Sequence, residues 1–305
     1  MEQATSSPTQ SMTVSEDGRR LLIPAIDPVV NLWTKEDFAV FPDHLKDFWE
    51  RIRLGEQFKN GVEIEQMLEM MDRANIEVAF LLAARGGEWE ITYKRVYDVC
   101  ERYPDRFRPI AGVDPNRGMA GVKELEIAVT EYGFIGAHLY PHWFGMPPDH
   151  ALYFPYYAKC AELEVPIQIQ VGHSAQRRMP TVARPMALDM VAIAMPELKL
   201  FLIHTGWPYI GESISVAWKH EHVYIGTDAH APRYWEPEFI QFINTRGRKK
   251  VIFGTDWPII DFERARREIL EIGIRESSMP WLMRENCRRL YDLWELPPTP
   301  GTEGE

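Results

Sequence analysis

The stretch Phe253-Gly254-Thr255-Asp256-Trp257-Pro258 decides the fold of this chain. An apolar run over 251–253 is stopped by Gly254, and a carboxylate follows directly beyond the stop. This pattern is typical of a buried parallel strand whose carboxyl end presents Asp256 to a site. Other apolar runs share the pattern, because each ends in His or Asp. They are Ile26-Asp27, Gly136-Ala137-His138, Ile169-Gln170-Val171-Gly172-His173, Phe201-Leu202-Ile203-His204 and Ile225-Gly226-Thr227-Asp228. Several strand ends with metal-ligand side chains indicate one shared rim and a metal centre.

Strand and helix signals alternate along the chain. Eight apolar runs of strand length, from Leu21–Asp27 to Val251–Phe253, are each followed by a segment of helical spacing. Strict alternation predicts a parallel sheet, and eight units at this length predict an α/β fold, the closed (β/α)8 TIM barrel. The rival is a doubly wound open sheet. It is disfavoured because Asp27-Pro28-Val29-Val30-Asn31 stands where that fold carries a Gly-rich fingerprint.

We predict a single domain over residues 21–296. Residues 1–20 read as a disordered N-terminal tail, and 297–305 as a C-terminal tail. The aromatic segment from about 32 to 60 is longer than an ordinary βα loop, so we expect an elaborated first loop with a lid or extra helices.

The composition excludes several classes of partner. The net charge of −11 argues against nucleic acid, since phosphate binding needs a basic face. No apolar run approaches the length of a membrane span, and the N-terminal segment lacks the apolar core of a signal peptide. Three widely separated cysteines predict reduced thiols. We therefore expect a cytoplasmic protein that binds neither nucleic acid nor a membrane.

Six segments carry a resemblance to a known superfamily. They are Gly133-Phe134-Ile135-Gly136, Tyr140-Pro141-His142, Tyr153–Pro166, Leu198–Gly206, His222-Val223-Tyr224-Ile225 and Phe253–Pro258. Through them, roughly residues 75–292 resemble the amidohydrolase-related superfamily, specifically its aminocarboxymuconate semialdehyde decarboxylase-like barrels. The resemblance implies a TIM barrel of the metal-dependent hydrolase type.

The resemblance also implies a set of site positions. In that superfamily a His-x-His pair ends strand one, a His ends strand five, a catalytic His ends strand six and an Asp ends strand eight. His204 and Asp256 match the last two positions, which implies catalytic roles for both. The chain departs from the pattern elsewhere. Val29 and Asn31 stand at the His-x-His positions, and Gln170 stands at the strand-five position.

Two explanations of these departures remain open: a barrel that has lost its metal, and a rebuilt site with redistributed ligands. Histidines at other strand ends favour the second. The predicted ligands are His138, His142, His173, His204, Asp256 and Asp27. They are more donors than tetrahedral zinc requires and suit six-coordinate iron or manganese. We expect one or two divalent metals per chain, with iron or manganese preferred and zinc as the alternative.

The segments 170–173 and 204–208, together with the missing His-x-His pair, are similar to a branch of non-haem di-iron or iron/manganese monooxygenases. The resemblance implies hydroxylation of a small or carrier-linked anionic substrate. One alternative is a mononuclear zinc or manganese hydrolase or decarboxylase of a small carboxylate, with His204 as acid and base. The other is a catalytically reduced partner subunit of an active paralogue.

Four further residues are predicted to bind the substrate. Arg177 and Arg178 follow His173, and arginine forks match carboxylate or phosphate, so we expect an anionic small molecule. Trp207 and Trp235 lie in loops at the rim and are predicted to wall an apolar pocket. We also expect a homo-oligomer or a complex with a paralogous subunit.

Overall fold

A computed structural model describes residues 23–52, 54, 58–174 and 177–302, without the side chains of 44–47. Eight strands in these ranges form one sheet in chain order, and all neighbouring strands are parallel. They are β1 (Ala25–Asn31), β2 (Ile76–Ala83), β3 (Phe107–Gly112), β4 (Ala137–Leu139), β5 (Ile167–Gln170), β6 (Leu200–Ile203), β7 (Val223–Gly226) and β8 (Val251–Ile252). The predicted tail 1–20 lies outside the described residues.

Helices connect the successive strands. They are α1 (Lys35–Ala39), α2 (Asp43–Arg51), α3 (Ile64–Arg73), α4 (Tyr93–Arg102), α5 (Gly118–Tyr132), α6 (Pro141–Phe144), α7 (Phe154–Glu162), α8 (Ala187–Ala194), α9 (Ile210–Lys219), α10 (Pro237–Ile243), α11 (Phe262–Glu271) and α12 (Asn286–Leu290). A π-helical turn over Trp281–Glu285 leads into α12. No helix of the described ranges is long and apolar enough to cross a membrane. The predicted (β/α)8 TIM barrel is confirmed.

The barrel closes between its first and last strands. Val30 and Trp257 form a parallel bridge, and the Asn31 amide N–H donates to the Trp257 carbonyl at 3.0 Å. Because β8 has only two residues, this contact beyond its end joins it to β1. The closing contact therefore lies at the carboxyl ends of the strands, where sites of such barrels are built.

The strands are buried on both faces, as expected where helices cover a parallel sheet. In β2 only Glu77 is partly exposed, and the other residues are buried. Inside the barrel, the Tyr291 ring lies 4.8 Å from Phe80 and 6.5 Å from Phe201 between ring centroids. The Gln168 amide donates to the Tyr291 hydroxyl at 2.9 Å. A segment following α12 thus fills the interior beside the first halves of the strands.

The first strand is displaced from its predicted position. It begins at Ala25, not Leu21, and continues through Pro28 to Asn31. Pro28 has no N–H to donate, and the β1–β2 register shifts between Asp27 and Val30, which accommodates it. Asp27 therefore lies inside the strand, whereas Asn31 stands at its end.

Two segments outside the barrel strands pack against it. Helices α1 and α2 occupy the long first loop, where the Trp33 ring lies 4.6 Å from Trp49 and 5.4 Å from Phe41. At the other end, residues 297–302 differ from the free tail expected. Thr299 donates to the buried Glu285 carboxylate from its amide at 2.8 Å and from its hydroxyl at 2.7 Å. A buried carboxylate needs such donors, and this requirement holds the segment in place.

Candidate active site

Four polar side chains meet at the carboxyl ends of β4, β5, β6 and the segment after β8. His204 is their centre. Its Nε2 lies 2.9 Å from the Tyr140 hydroxyl and 3.6 Å from Asp256 Oδ2, and its Nδ1 lies 3.1 Å from the Gln170 amide. His204 and Asp256 both have positive φ, 68° and 54°. This conformation is unusual for residues with side chains, and it turns both residues out of their strands.

A hydrogen-bond chain sets the tautomer of His204. The Gly172 carbonyl can only accept, so His142 Nε2, 3.0 Å away, carries a proton. Burial lowers the pKa of His142, so the ring is neutral and its Nδ1 accepts. The Gln170 amide lies between the rings, with its terminal atoms 3.0 Å from His142 Nδ1 and 3.1 Å from His204 Nδ1.

The orientation of this amide follows from its neighbours, because the two ends of a Gln amide are assigned from the hydrogen-bond network. The structure places its oxygen toward His142 Nδ1 and its NH2 group toward His204 Nδ1. A neutral His142 that donates to Gly172 requires the reverse orientation, in which the NH2 group faces His142 and the oxygen accepts from Nδ1–H of His204. His204 Nε2 is then unprotonated and accepts from the Tyr140 hydroxyl. Nε2, whose lone pair the Tyr140 hydroxyl occupies, lies 3.6 Å from Asp256 Oδ2.

Two buried carboxyl groups, Asp228 and Asp256, lie beside this nitrogen, and a third, Asp27, is close enough to act on both. Burial raises the pKa of Asp27 to about 7 and that of Asp256 to about 8, and it raises the pKa of Asp228 well above its usual value. Asp228 Oδ2 accepts from the His204 amide at 2.8 Å and lies 3.4 Å from Nε2. Asn31 donates to Asp256 Oδ1 at 2.9 Å. At neutral pH Asp256 is therefore a carboxylic acid that can donate a proton.

Asp27, a predicted metal ligand, has a different role. Its Oδ2 accepts from the Thr255 hydroxyl at 2.6 Å, and its Oδ1 accepts from the amides of Thr255 and Val29, each at 3.2 Å. Because the strand begins later than predicted, the carboxyl group points into the barrel and not at the rim. Asp27 links β1 to the segment after β8.

The predicted histidine ligands do not converge. Both ring nitrogens of His142 are engaged. His138 is buried, with Nε2 unpartnered, and its ring packs 4.7 Å from that of Tyr140. His173 is half-buried and lies edge-on to Trp207, 5.4 Å between ring centroids. In the part of the chain that the structure describes, no group of three or more His, Cys, Asp or Glu is arranged to hold a metal ion.

The residues present therefore do not fit the metal centre that the superfamily resemblance implies. Val29 and Asn31 stand at its strand-one positions, and Gln170 stands at its strand-five position. A valine side chain cannot coordinate a cation, and Asn31 turns its NH2 group rather than its oxygen toward Asp256. His204 and Asp256 come together as predicted, but as a hydrogen-bonding pair without the other expected ligands.

Two adjoining cavities open on this pair and share Phe48, Tyr140, Asp256 and Ile259 in their walls. One, of about 540 Å³ including space open to solvent, is lined by the histidines 173, 204 and 230. The other, of about 480 Å³ on the same basis, has an aromatic wall. That wall consists of Trp33, Phe41, Phe48, Trp49, Trp89, Tyr140 and Trp143. The Tyr140 and Trp143 rings stack at 4.2 Å.

None of the four predicted substrate-binding residues lines these two cavities, but the Trp207 ring lies 5.4 Å from His173 and 5.8 Å from His230, which do. Arg177 and Arg178 are exposed. Trp207 is 40% exposed, and Trp235 is buried with its indole N–H donating to the His230 carbonyl at 2.9 Å. No Lys or Arg lines either cavity among the described residues. The aromatic wall was not predicted; the aromatic composition of the first loop was a signal for four of its members, Trp33, Phe41, Phe48 and Trp49.

Comparison with known proteins agrees with the architecture. A model of the amidohydrolase family (Amidohydro_2) matches residues 41–293, so this chain belongs to that family. The predicted superfamily is confirmed. Among curated proteins, the gamma-resorcylate decarboxylase of Rhodococcus jostii (strain RHA1) is 24% identical over 331 aligned positions, covering 85% of this chain and 97% of that protein.

Solved structures share the barrel. An uncharacterised TIM-barrel protein from Bordetella bronchiseptica has a TM-score of 0.75 at 22% identity, covering 90% of this chain and 100% of that one. The 5-carboxyvanillate decarboxylase of Novosphingobium aromaticivorans, solved with manganese, has a TM-score of 0.66 at 16% identity, covering 94% and 100%. At these identities the likeness establishes the fold alone.

Proposed function

We propose that this protein is a decarboxylase of a small aromatic carboxylate. The observation that carries the proposal is the Asp256 carboxyl group, whose pKa burial raises to about 8, opening on a cavity with aromatic walls. The decarboxylases among the relatives support this reading over the predicted oxygenase. Oxygen activation by two metals would also need ligands that do not come together among the described residues.

The reaction requires one proton and no redox partner. Asp256 donates its proton to the ring carbon that bears the carboxylate. The bond to the carboxylate then breaks, its electron pair stays with the ring, and CO2 leaves. Asp256 lines both cavities and is reprotonated from the solvent that enters them. Positioned proton transfer of this kind contributes about 10²–10⁴-fold to a rate.

The cavity environment also favours loss of CO2. Its walls carry no Lys or Arg among the described residues, and burial lowers the pKa of His173, His204 and His230, the last to about 4. These histidines are therefore neutral near pH 7. A substrate carboxylate brought here exchanges water for aromatic surface, whereas neutral CO2 loses little by the same transfer.

The test is turnover of a panel of hydroxylated benzoates, followed by CO2 release and chromatography of the decarboxylated product. Asp256→Asn should lower kcat at least about 100-fold, because the amide cannot supply the proton. Activity of the native enzyme should fall as pH rises through about 8, where Asp256 loses its proton. Asp105→Asn is the matched control, because Asp105 is exposed and lines neither cavity.

Unchanged turnover in Asp256→Asn would remove Asp256 as the acid. Hydrolysis of esters or amides without decarboxylation would favour the hydrolase alternative. If the protein turns over none of the carboxylates, the remaining alternative is a catalytically reduced partner subunit of an active paralogue. Assembly as a homo-oligomer or with a paralogous subunit stays a prediction, which light scattering of the purified protein measures.

A further inference from the structure

We propose that this barrel mouth works without a divalent metal, because hydrogen bonds occupy the positions from which the ion would be held. The inference concerns the cofactor and does not depend on which substrate is used. It rests on the donor types and contacts at the ends of β1, β5 and β6 and after β8.

At the end of β1, the side-chain amide of Asn31 occupies a position where the superfamily pattern has a metal-binding histidine. Asn31 Nδ2 donates to Asp256 Oδ1 at 2.9 Å and to the Trp257 carbonyl at 2.9 Å. The Asn31 N–H group carries partial positive charge and faces the Asp256 carboxyl group. It lies on the side of that carboxyl group where a bound cation would lie. The Asn31 nitrogen has no lone pair to offer a metal. Val29, the other strand-one position, is buried and apolar.

The histidine at the end of β6 has neither nitrogen free. Gln170 engages Nδ1 at 3.1 Å, and the Tyr140 hydroxyl lies 2.9 Å from Nε2. A metal bound by Nε2 would lie about 2.0–2.1 Å from it along the same lone pair. The hydroxyl would have to leave first. The Tyr140 ring is held by stacking on Trp143 at 4.2 Å and by packing against His138 at 4.7 Å.

The remaining acidic neighbour, Asp228, is fully buried and already accepts a hydrogen bond. Asp228 Oδ2 accepts from the His204 amide at 2.8 Å. Its Oδ1 is buried beside Gly226 and has no hydrogen-bond partner among the described residues. Two carboxylate oxygens therefore lie beside His204 Nε2, Asp228 Oδ2 at 3.4 Å and Asp256 Oδ2 at 3.6 Å, and the first already accepts from a backbone amide. Two such oxygens do not supply the four ligands of a tetrahedral zinc site.

The test measures metal directly. Protein purified without chelator, then incubated separately with Mn²⁺, Zn²⁺ and Fe²⁺ and desalted, is analysed by plasma mass spectrometry and thermal melting. We expect no stoichiometric metal and no metal-induced shift of Tm. The variant Val29→His/Asn31→His/Gln170→His restores the missing donors and should take up about one equivalent with a raised Tm.

One equivalent of metal in the native protein, released by chelator with a fall in Tm, would overturn the inference. If the triple variant does not fold, the measurement on the native protein still decides. Decarboxylation assays with and without chelator separate the two proposals. Activity abolished by chelator in metal-containing protein would defeat this inference while sustaining the proposed function.

Discussion

Replacing Asp27 by Asn should stabilise the protein at neutral and alkaline pH. The carboxyl group is fully buried in the barrel and accepts from the Val29 amide and from the amide and hydroxyl of Thr255. An asparagine oxygen can accept from both amides, and its nitrogen can donate to the Thr255 hydroxyl oxygen. The substitution therefore keeps the contacts and removes the ionisation.

The magnitude follows from the pKa. Burial raises the pKa of Asp27 from 3.8 to about 7, so between these values the folded state keeps a proton that the unfolded state releases. The free energy of unfolding then falls by about 1.4 kcal/mol per pH unit. Across the whole interval the loss is about 4 kcal/mol, and it stays constant above the folded-state pKa. Below the unfolded-state pKa both states are protonated, and the loss disappears.

The assay is urea unfolding, followed by tryptophan fluorescence, at a series of pH values spanning that interval. The free energy of Asp27→Asn minus that of the native protein should be near zero in acid and should rise to about 4 kcal/mol at alkaline pH. Asp105→Asn, at an exposed aspartate, is the control. A difference that does not change with pH would refute the reasoning, since only ionisation of Asp27 supplies the slope.

Three further outcomes are expected. Glu285→Gln should cost about 1–2 kcal/mol in urea unfolding, because Arg284 and Arg288 each lose a buried charged partner while Arg284 keeps Glu77; an unchanged midpoint would contradict this. Gly172→Ala should lower Tm, since φ is 79° and the new Cβ would lie 2.4 Å from the Gly206 backbone. Gly211→Ala, with open space at the Cβ, should not lower Tm. Trp143→Ala should raise KM for an aromatic acid more than it lowers kcat; an unchanged KM would place the ring elsewhere.

The alternation of apolar runs was sufficient to predict the barrel, because a parallel sheet buried on both faces makes each strand a continuous apolar segment. His204 and Asp256 were likewise predicted as neighbours, since both follow strands of one barrel. Their hydrogen-bonding partners were not predicted. Whether a side chain just beyond a strand faces the centre depends on backbone turns, here the positive φ values of these two residues.

The histidines show the same limit. His138 is on a strand, but it is buried and packs against the Tyr140 ring. Its position in the sequence therefore did not indicate whether a ligand could reach it. Asp27 was placed at the rim because the start of the first strand was set four residues too early. The apolar pattern does not reveal such a shift, because it continues through Pro28 to Val30.

The candidate site forms late in protein synthesis, because it depends on the contact between the first and last strands. The Asn31 side chain bonds to Asp256 across 225 residues of chain, whereas His204 is 64 residues from Tyr140 and 34 from Gln170. Closing so large a loop carries an entropic cost that nearer contacts do not share. On the ribosome, β1 emerges early and must wait for almost the whole barrel before its end can meet Asp256. The acid is therefore in its working position only in a chain that has been completed and closed.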